Sequence, residues 1–298
     1  MDIVECRYVT KPYPPELIDA SRELLAASVA QIGGMGQVIV QMLVSRFPDH
    51  AEKIEESALE LGVASDDLFL GSVIYDLAMA FGCSTMALAT SDGPLIARNM
   101  DWFPETLIAR ASCILDTDNG KQAGFVGAIG VVTGLSKNGF AFALNAVPTT
   151  TPKLDGYPML LFLRQVLDKA KDFDDALRWI EREPLASGGL ITLVGMKNNE
   201  RAVIERAPTK AVVRRPIGEE PLITTNDYRL MEKVAIECPR HARLSETVKD
   251  LGVTATVESM LERLTDERVI QTITAQHVIA HPTTQTLRMW VPKRLLAM

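Results

Sequence analysis

Cys83 follows Gly82 directly, and Arg98 and Asp101 stand fifteen and eighteen residues further along the chain. A structural cysteine packs as a small hydrophobe and needs no such company. A nucleophile needs a base for its proton, a cation for its thiolate and a group that orients the base. Three readings of Cys83 follow from the residues. It is a buried structural thiol; it pairs with His277 or His281 as a Cys–His thiol hydrolase; or the Gly82–Cys83 bond is cut. In the third, the freed α-amine of Cys83, with an intrinsic pKa of about 7.7–8.0, is the base for its own thiol. That reading uses residues already nearby. Ser91-Asp92-Gly93-Pro94 is turn chemistry that folds "LIARNMDW" back beside "STMALAT", bringing Arg98 to the thiolate and Asp101 to the ammonium. Gly82 suits a cut site because self-cleavage asks for an unusual backbone geometry, which glycine adopts at low cost.

Other motifs carry less. His277 and His281 have the spacing of a zinc helix but lack the glutamate of H-E-x-x-H, and the apolar residues between them read as a strand. Side chains four apart on a strand stand about 13 Å from one another, too far to share one ion. No metal and no cofactor are expected. Gly33-Gly34-Met35-Gly36 follows no strand and lacks the Lys-Ser/Thr of a phosphate loop. Gly124, Gly127 and Gly130 read as a strand that something approaches closely.

The elements that must position Cys83 come from the rest of the chain. Its 298 residues are 47% apolar, ample for a sizeable core. A net charge of −7 with no basic run excludes a nucleic-acid partner. The four scattered cysteines and the charged start without an apolar core segment point to a reducing, cytoplasmic setting. Leu24 to Val44 is uncharged and long enough to span a bilayer, yet it holds three glutamines and the glycine break. It is expected as two buried helices without membrane contact. Helices are expected after Pro15, over Gln37–Arg46, over Ala51–Leu61 and from Ser65 to about Met79. Strands follow from Cys83, near 111–115, 123–133, 139–146, 189–196, 201–207, 274–281 and 285–292. Helices are expected at 158–170, 174–182, 229–250 and 255–264. This grouping favours a layered α+β fold over βαβ alternation.

The chain resembles the cysteine N-terminal-nucleophile hydrolases, the group of choloylglycine hydrolases, penicillin V acylases, acid ceramidase-like enzymes and isopenicillin acyltransferases. The resemblance rests on Cys83, "LIARNMD" at 95–101, "GLSKNGFAFALN" at 134–145, "TTND" at 224–227 and, more weakly, "PRHARL" at 239–244. It implies an αββα four-layer sandwich with both sheets antiparallel. Residues 1–82 would be a helical pro-segment, which becomes a small subunit, and 83–298 the catalytic body. Cys83 would be nucleophile and base, Arg98 the thiolate's cation and Asp101 the holder of the α-amine. Asn145 and Asn226 would serve the oxyanion hole. Arg240, or Arg243 after a slip of three residues, would be a second active-site arginine. Trp102 and Phe103 would line an acyl pocket or belong to the core. The long leader turns the expected substrate away from bile salts and towards small-molecule N-acyl amides. The two cleaved segments would stay associated, and a homo-oligomer is one expected arrangement. Transfer of the acyl group to an amine, or an uncut lipid-binding scaffold, are the alternatives.

Overall fold

The computed structural model describes residues 2–31, 40, 45–77, 81–148, 152–153, 155–232 and 237–297. Most of the segment expected as a helix over Gln37–Arg46, the glycine break at 33–36 and the end of the helix expected to reach Met79 lie outside them.

One sheet has six strands, in the order β1 (Ile3–Glu5), β14 (Thr286–Pro292), β13 (Thr274–His281), β4 (Leu95–Trp102), β3 (Phe81–Leu88), β12 (Leu222–Thr224). The other has eight: β11 (Lys210–Arg214), β10 (Arg201–Ala207), β9 (Gly189–Val194), β8 (Phe140–Asn145), β7 (Thr133–Ser136), β6 (Gly120–Gly124), β5 (Cys113–Thr117) and β2 (Tyr8–Val9). The sheets pack face to face, and side-chain alternation sorts the core. Ala87, Ile96, Val278 and Ala280 point inward to meet Leu135, Ala141, Leu190 and Val203 of the opposite sheet. Met86, Leu88, Leu95, Ala97 and Ile279 point outward beneath α7 (Pro239–Thr247) and α8 (Val257–Leu264). Helices α5 (Met159–Lys169) and α6 (Phe173–Arg182) cover the outer face of the eight-stranded sheet. The result is the expected helix–sheet–sheet–helix sandwich.

The N-terminal residues depart from the expectation. They are not purely helical, because β1 extends one sheet beside β14 and β2 extends the other beside β5. The β2–β5 pair is parallel, so the larger sheet is not wholly antiparallel. These strands of two and three residues are too short to show a period-2 pattern. Behind them run α1 (Pro15–Val29), α2 (Pro48–Leu61) and α3 (Ser65–Leu77). Proline opens α1 and α2, and Gly62 at φ +63° ends α2 with a left-handed cap. Helix α4 (Glu105–Ala111), β7, β11 and β12 were not anticipated. Among the described residues of the helix expected over 229–250, the helical ones are those of α7. Residues 229–232 form a loop. The strand expected over 123–133 ends at Gly124, and beyond it the close approach applies to a loop. A Cβ at Gly130 would meet Leu160 at 2.6 Å, and Gly127 has φ +82°.

Candidate active site

Cys83 lies near the start of β3, a strand paired along its length with β4. The turn between them works as its residues suggest: Gly93 takes φ +103°, and Thr90 Oγ1 donates to the Gly93 carbonyl at 2.6 Å. The register sets Thr85 opposite Arg98 and Gly82 opposite Asp101. Strand alternation then divides these side chains between two faces.

On the inner face the fully buried Cys83 Sγ accepts a hydrogen bond from Arg98 Nη2 at 3.1 Å. Arg98 Nη1 donates to Thr133 Oγ1 at 3.2 Å, and the guanidinium lies 5.9 Å from the Trp102 ring centroid. The cation is thus fixed against the sulfur by a hydroxyl on one side and an aromatic face on the other.

On the outer face the buried Asp101 carboxylate accepts from Thr274 Oγ1 at 2.6 Å and from Arg240 Nη1 at 2.9 Å. Burial raises its pKa, opposed by the Thr274 hydroxyl and then by Arg240 and Arg98. Arg240, from the first turn of α7, also donates to the Cys83 carbonyl at 2.9 Å, Ser84 Oγ at 3.0 Å and Asn226 Oδ1 at 2.9 Å. Asn226 Oδ1 in turn accepts from the Cys83 backbone N–H at 3.1 Å. Arg243 points elsewhere, to Asp266 at 2.8 Å and Glu246 at 3.0 Å.

Gly82 is not among the positive-φ glycines; it is part of β3. The expected unusual geometry is therefore absent. The constraint is space, since a Cβ there would stand 3.2 Å from Asp101 Cβ and 3.4 Å from its Oδ2.

Asn145 sits one step from the thiol. Its Oδ1 accepts from Thr85 Oγ1 at 2.6 Å, and its Nδ2 donates to the carbonyls of Thr224 at 3.2 Å and Thr225 at 3.0 Å. Asn226 Nδ2 donates to the Ala146 carbonyl at 2.7 Å. Asn145 Nδ2 thus spends both of its N–H groups on backbone carbonyls, and Asn226 Nδ2 one of its two.

The histidines stand apart from Cys83. His277 is opposite Asn99 on the outer face, with Nδ1 2.7 Å from Asn99 Oδ1, and burial pushes its pKa down to about 4. His281 lies at the far end of β13, 3.1 Å from the Asp92 carbonyl. Neither meets the thiol, so the Cys–His arrangement is not formed. Among the described residues no three His, Cys, Asp or Glu side chains gather as a metal site.

An apolar cleft of about 870 Å³, open solvent included, reaches Met100, the cross-strand partner of Cys83. Both Trp102 and Phe103 line it, Trp102 buried and Phe103 57% exposed. Its other wall comes from the N-terminal segment, through Leu24 and Leu25 of α1 and Leu68 and Ile74 of α3. The last turn of α3 docks beside the site. Tyr75 stacks on Trp102 with centroids 6.3 Å apart and donates to the Gly188 carbonyl at 2.8 Å. Asp76 accepts from the Met159 N–H at 3.1 Å and from the Ser187 hydroxyl, and desolvation raises its pKa to about 7. Sequence reasoning missed Thr85, Thr133, Thr274, Ser84 and Tyr75. Alternation along β3 could have put Thr85 on the face of Cys83; nothing in the sequence marks Thr133 or Thr274.

Two antiparallel-rich sheets stacked between helical layers, with a cysteine near the start of a central strand, define the N-terminal-nucleophile hydrolase class. The N-acylethanolamine-hydrolyzing acid amidase ortholog of Caenorhabditis elegans shares this fold, with a TM-score of 0.60 at 21% identity over 70% of this chain and 100% of that one. A mutant of conjugated bile acid hydrolase from Clostridium perfringens is more distant, with a TM-score of 0.47 at 14% identity over 70% of this chain and 88% of that one. The model of the acyl-coenzyme A:6-aminopenicillanic acid acyl-transferase family matches residues 88–281, and the chain belongs to that family. The match begins beyond Cys83. In sequence the chain is 25% identical to the Caenorhabditis elegans N-acylethanolamine-hydrolyzing acid amidase over 203 residues, 61% of this chain. It spans 56% of that relative's length. Among the described residues no helix is long and apolar enough to cross a membrane.

Proposed function

We propose that this protein is a self-processing N-terminal-nucleophile amidohydrolase acting on N-acyl amides. One observation carries the reading: Arg98 holds the Cys83 sulfur from one face while Asn226 and Arg240 hold its backbone nitrogen and carbonyl oxygen, with Arg240 also paired to Asp101. A structural thiol needs none of this.

In the first step Cys83 Sγ attacks the Gly82 carbonyl carbon. The C–N bond breaks, the Gly82 acyl group passes to sulfur as a thioester, and the proton lost by the thiol ends on the Cys83 nitrogen as a free amine. Water splits the thioester, leaving the Gly82 carboxylate and the thiol. The products, 1–82 and 83–298, stay packed through β1, β2 and the helices, because each sheet keeps an edge strand from the smaller piece. Cys83 is fully buried before the cut. The uncut chain is thus a zymogen on two counts, with no accessible thiol and no basic amine.

In the mature enzyme the amine takes the thiol proton, the thiolate attacks a substrate amide carbonyl, and the same proton passes to the departing amine. Asp101 holds the ammonium and Arg98 the thiolate. Asn226, beside the Cys83 nitrogen, is the nearer oxyanion donor; such a donor contributes about 10²–10³-fold in rate. Asn145 serves by holding the Thr224 and Thr225 carbonyls that lead into Asn226. The apolar cleft receives the acyl chain, with Trp102 and Phe103 in its wall. The acid amidase relative supports linear acyl amides as the substrate class.

The family match also favours a second outcome for the thioester, attack by an amine in place of water. Intact mass of denatured protein tests the primary reading: a fragment pair divided before Cys83 supports it, and a single full-length mass in active material overturns it. A panel of N-acyl amides of graded chain length, with and without an added amine, then separates hydrolysis from transfer.

A further inference from the structure

Asn226 and Arg240 belong to different elements, one just after β12 and one in α7, yet they must meet at a single backbone nitrogen. Arg240 Nη2 donates to Asn226 Oδ1 at 2.9 Å, and both residues hydrogen-bond to Cys83. Residues 229–231, which follow Asn226, turn over a carboxylate that the chemistry does not use. Glu205, on β10, is fully buried. Its Oε1 accepts from the backbone N–H groups of Arg229 at 3.0 Å and Leu230 at 3.1 Å. Its Oε2 accepts from those of Leu230 at 3.0 Å and Met231 at 2.9 Å. Arg214 Nε, 4.0 Å away, is its ion-pair partner.

A buried carboxylate is costly unless its lone pairs are filled, and here three consecutive backbone donors fill them. Within the turn it holds, Met231 packs against the core between the sheets while Leu230 is 55% exposed. The turn also carries a bridge between the two groups at Cys83. Arg229 reaches back to Asp227 at 3.2 Å and forward to Glu237 at 2.9 Å. Asp227 accepts from Thr225 Oγ1 at 2.6 Å, so Asn226 is held from both sides. Glu237 meets His241, the neighbour of Arg240, at 2.9 Å.

We propose that Glu205 is a positioning residue, which acts through the 229–231 turn and Arg229 to hold Asn226 and Arg240 in register with the Cys83 backbone. Resting on the self-processing reading above, it adds a residue from the opposite sheet to that site. Glu205→Gln keeps the shape but turns an NH₂ group toward backbone donors, leaving buried N–H groups unpaired.

The test follows self-cleavage of freshly made chain by intact mass. It then measures turnover of the aminocoumarin amide of dodecanoic acid, per thiol titrated by alkylation. Self-cleavage of Glu205→Gln should be slowed about tenfold or more, and kcat per titrated thiol should fall about tenfold with KM within about twofold. Arg229→Gln should move both in the same direction by about threefold. A merely structural staple would lower yield and melting temperature yet leave the rate per titrated thiol unchanged, and that result overturns the proposal. If Glu205→Gln does not fold, Arg229→Gln decides: wild-type rates in both assays overturn it. A wild-type chain that never cuts overturns the reading of the site, and this inference with it. A wild-type chain that cuts no faster than Glu205→Gln overturns this inference alone.

Discussion

The two faces of the β3–β4 hairpin do different work within a few ångströms of each other. The inner face surrounds the sulfur: Cys83, Arg98 and Thr133 lie between the sheets, with Trp102 beside the guanidinium. The outer face surrounds the backbone of the same cysteine: Asp101, Arg240, Thr274 and Asn226 gather there. Alternation in a strand forces this split, because neighbouring residues point to opposite faces. In the proposed mechanism it lets one residue direct its thiol between the sheets and its nitrogen toward a carboxylate without the two competing for space.

The sharpest way to break that comparison is Cys83→Ala, which removes the inner-face atom and should leave the chain whole and turnover lost by at least about 10³-fold. Mass and activity are read on the same sample. Next come one residue from each face. Asp101→Asn should slow the cut about 100-fold, since it weakens the partner of Arg240 and of the future ammonium. Arg98→Lys should leave more of the cut but reduce turnover per titrated thiol by about tenfold or more, because a point charge replaces a fork held by Thr133. Equal losses in both assays for both variants would erase the division of labour.

Gly82→Ala sharpens it further. The added methyl crowds Asp101 and should slow the cut about tenfold, yet Gly82 leaves with the smaller fragment, so turnover per titrated thiol should be unchanged. A smaller effect is expected at Asp76. Its folded pKa, about 7, lies above its unfolded value, so the folded chain binds that proton more tightly. Stability should therefore be greatest with the group protonated and be lost as pH rises through about 7. The melting temperature of Asp76→Asn should lack that slope between about pH 4 and pH 7, by calorimetry at about one-unit steps. The smallest change is expected for His277→Gln, within about threefold of wild type in turnover, because its ring is tied to Asn99 and held neutral by burial.

Much of the site was legible because it is local. A four-residue turn and a period of two are enough to bring Arg98 and Asp101 back to Cys83, and the motif at 95–101 marks them. Arg240 was legible only with a competitor. Arg240 and Arg243 are three residues apart on one helix, and only packing turns the first toward Cys83 and the second toward Asp266. The oxyanion role expected of Asn145 could not be judged from sequence. Whether an amide is free or spent on Thr224 and Thr225 depends on where another strand ends.

The sequence by itself determined the hairpin, the order of the motif residues along it and the α+β class, because turns and hydrophobic periods are properties of neighbouring residues. The fold, through long-range contacts, set short N-terminal strands at the edges of both sheets, placed Asp101 where a side chain at Gly82 would crowd it, and braced the charged groups with Thr274 and Thr133. It alone brought Glu205 beneath the turn between Asn226 and Arg240. These are contacts across tens or hundreds of residues, set by the register and stacking of two sheets, and no local pattern encodes them.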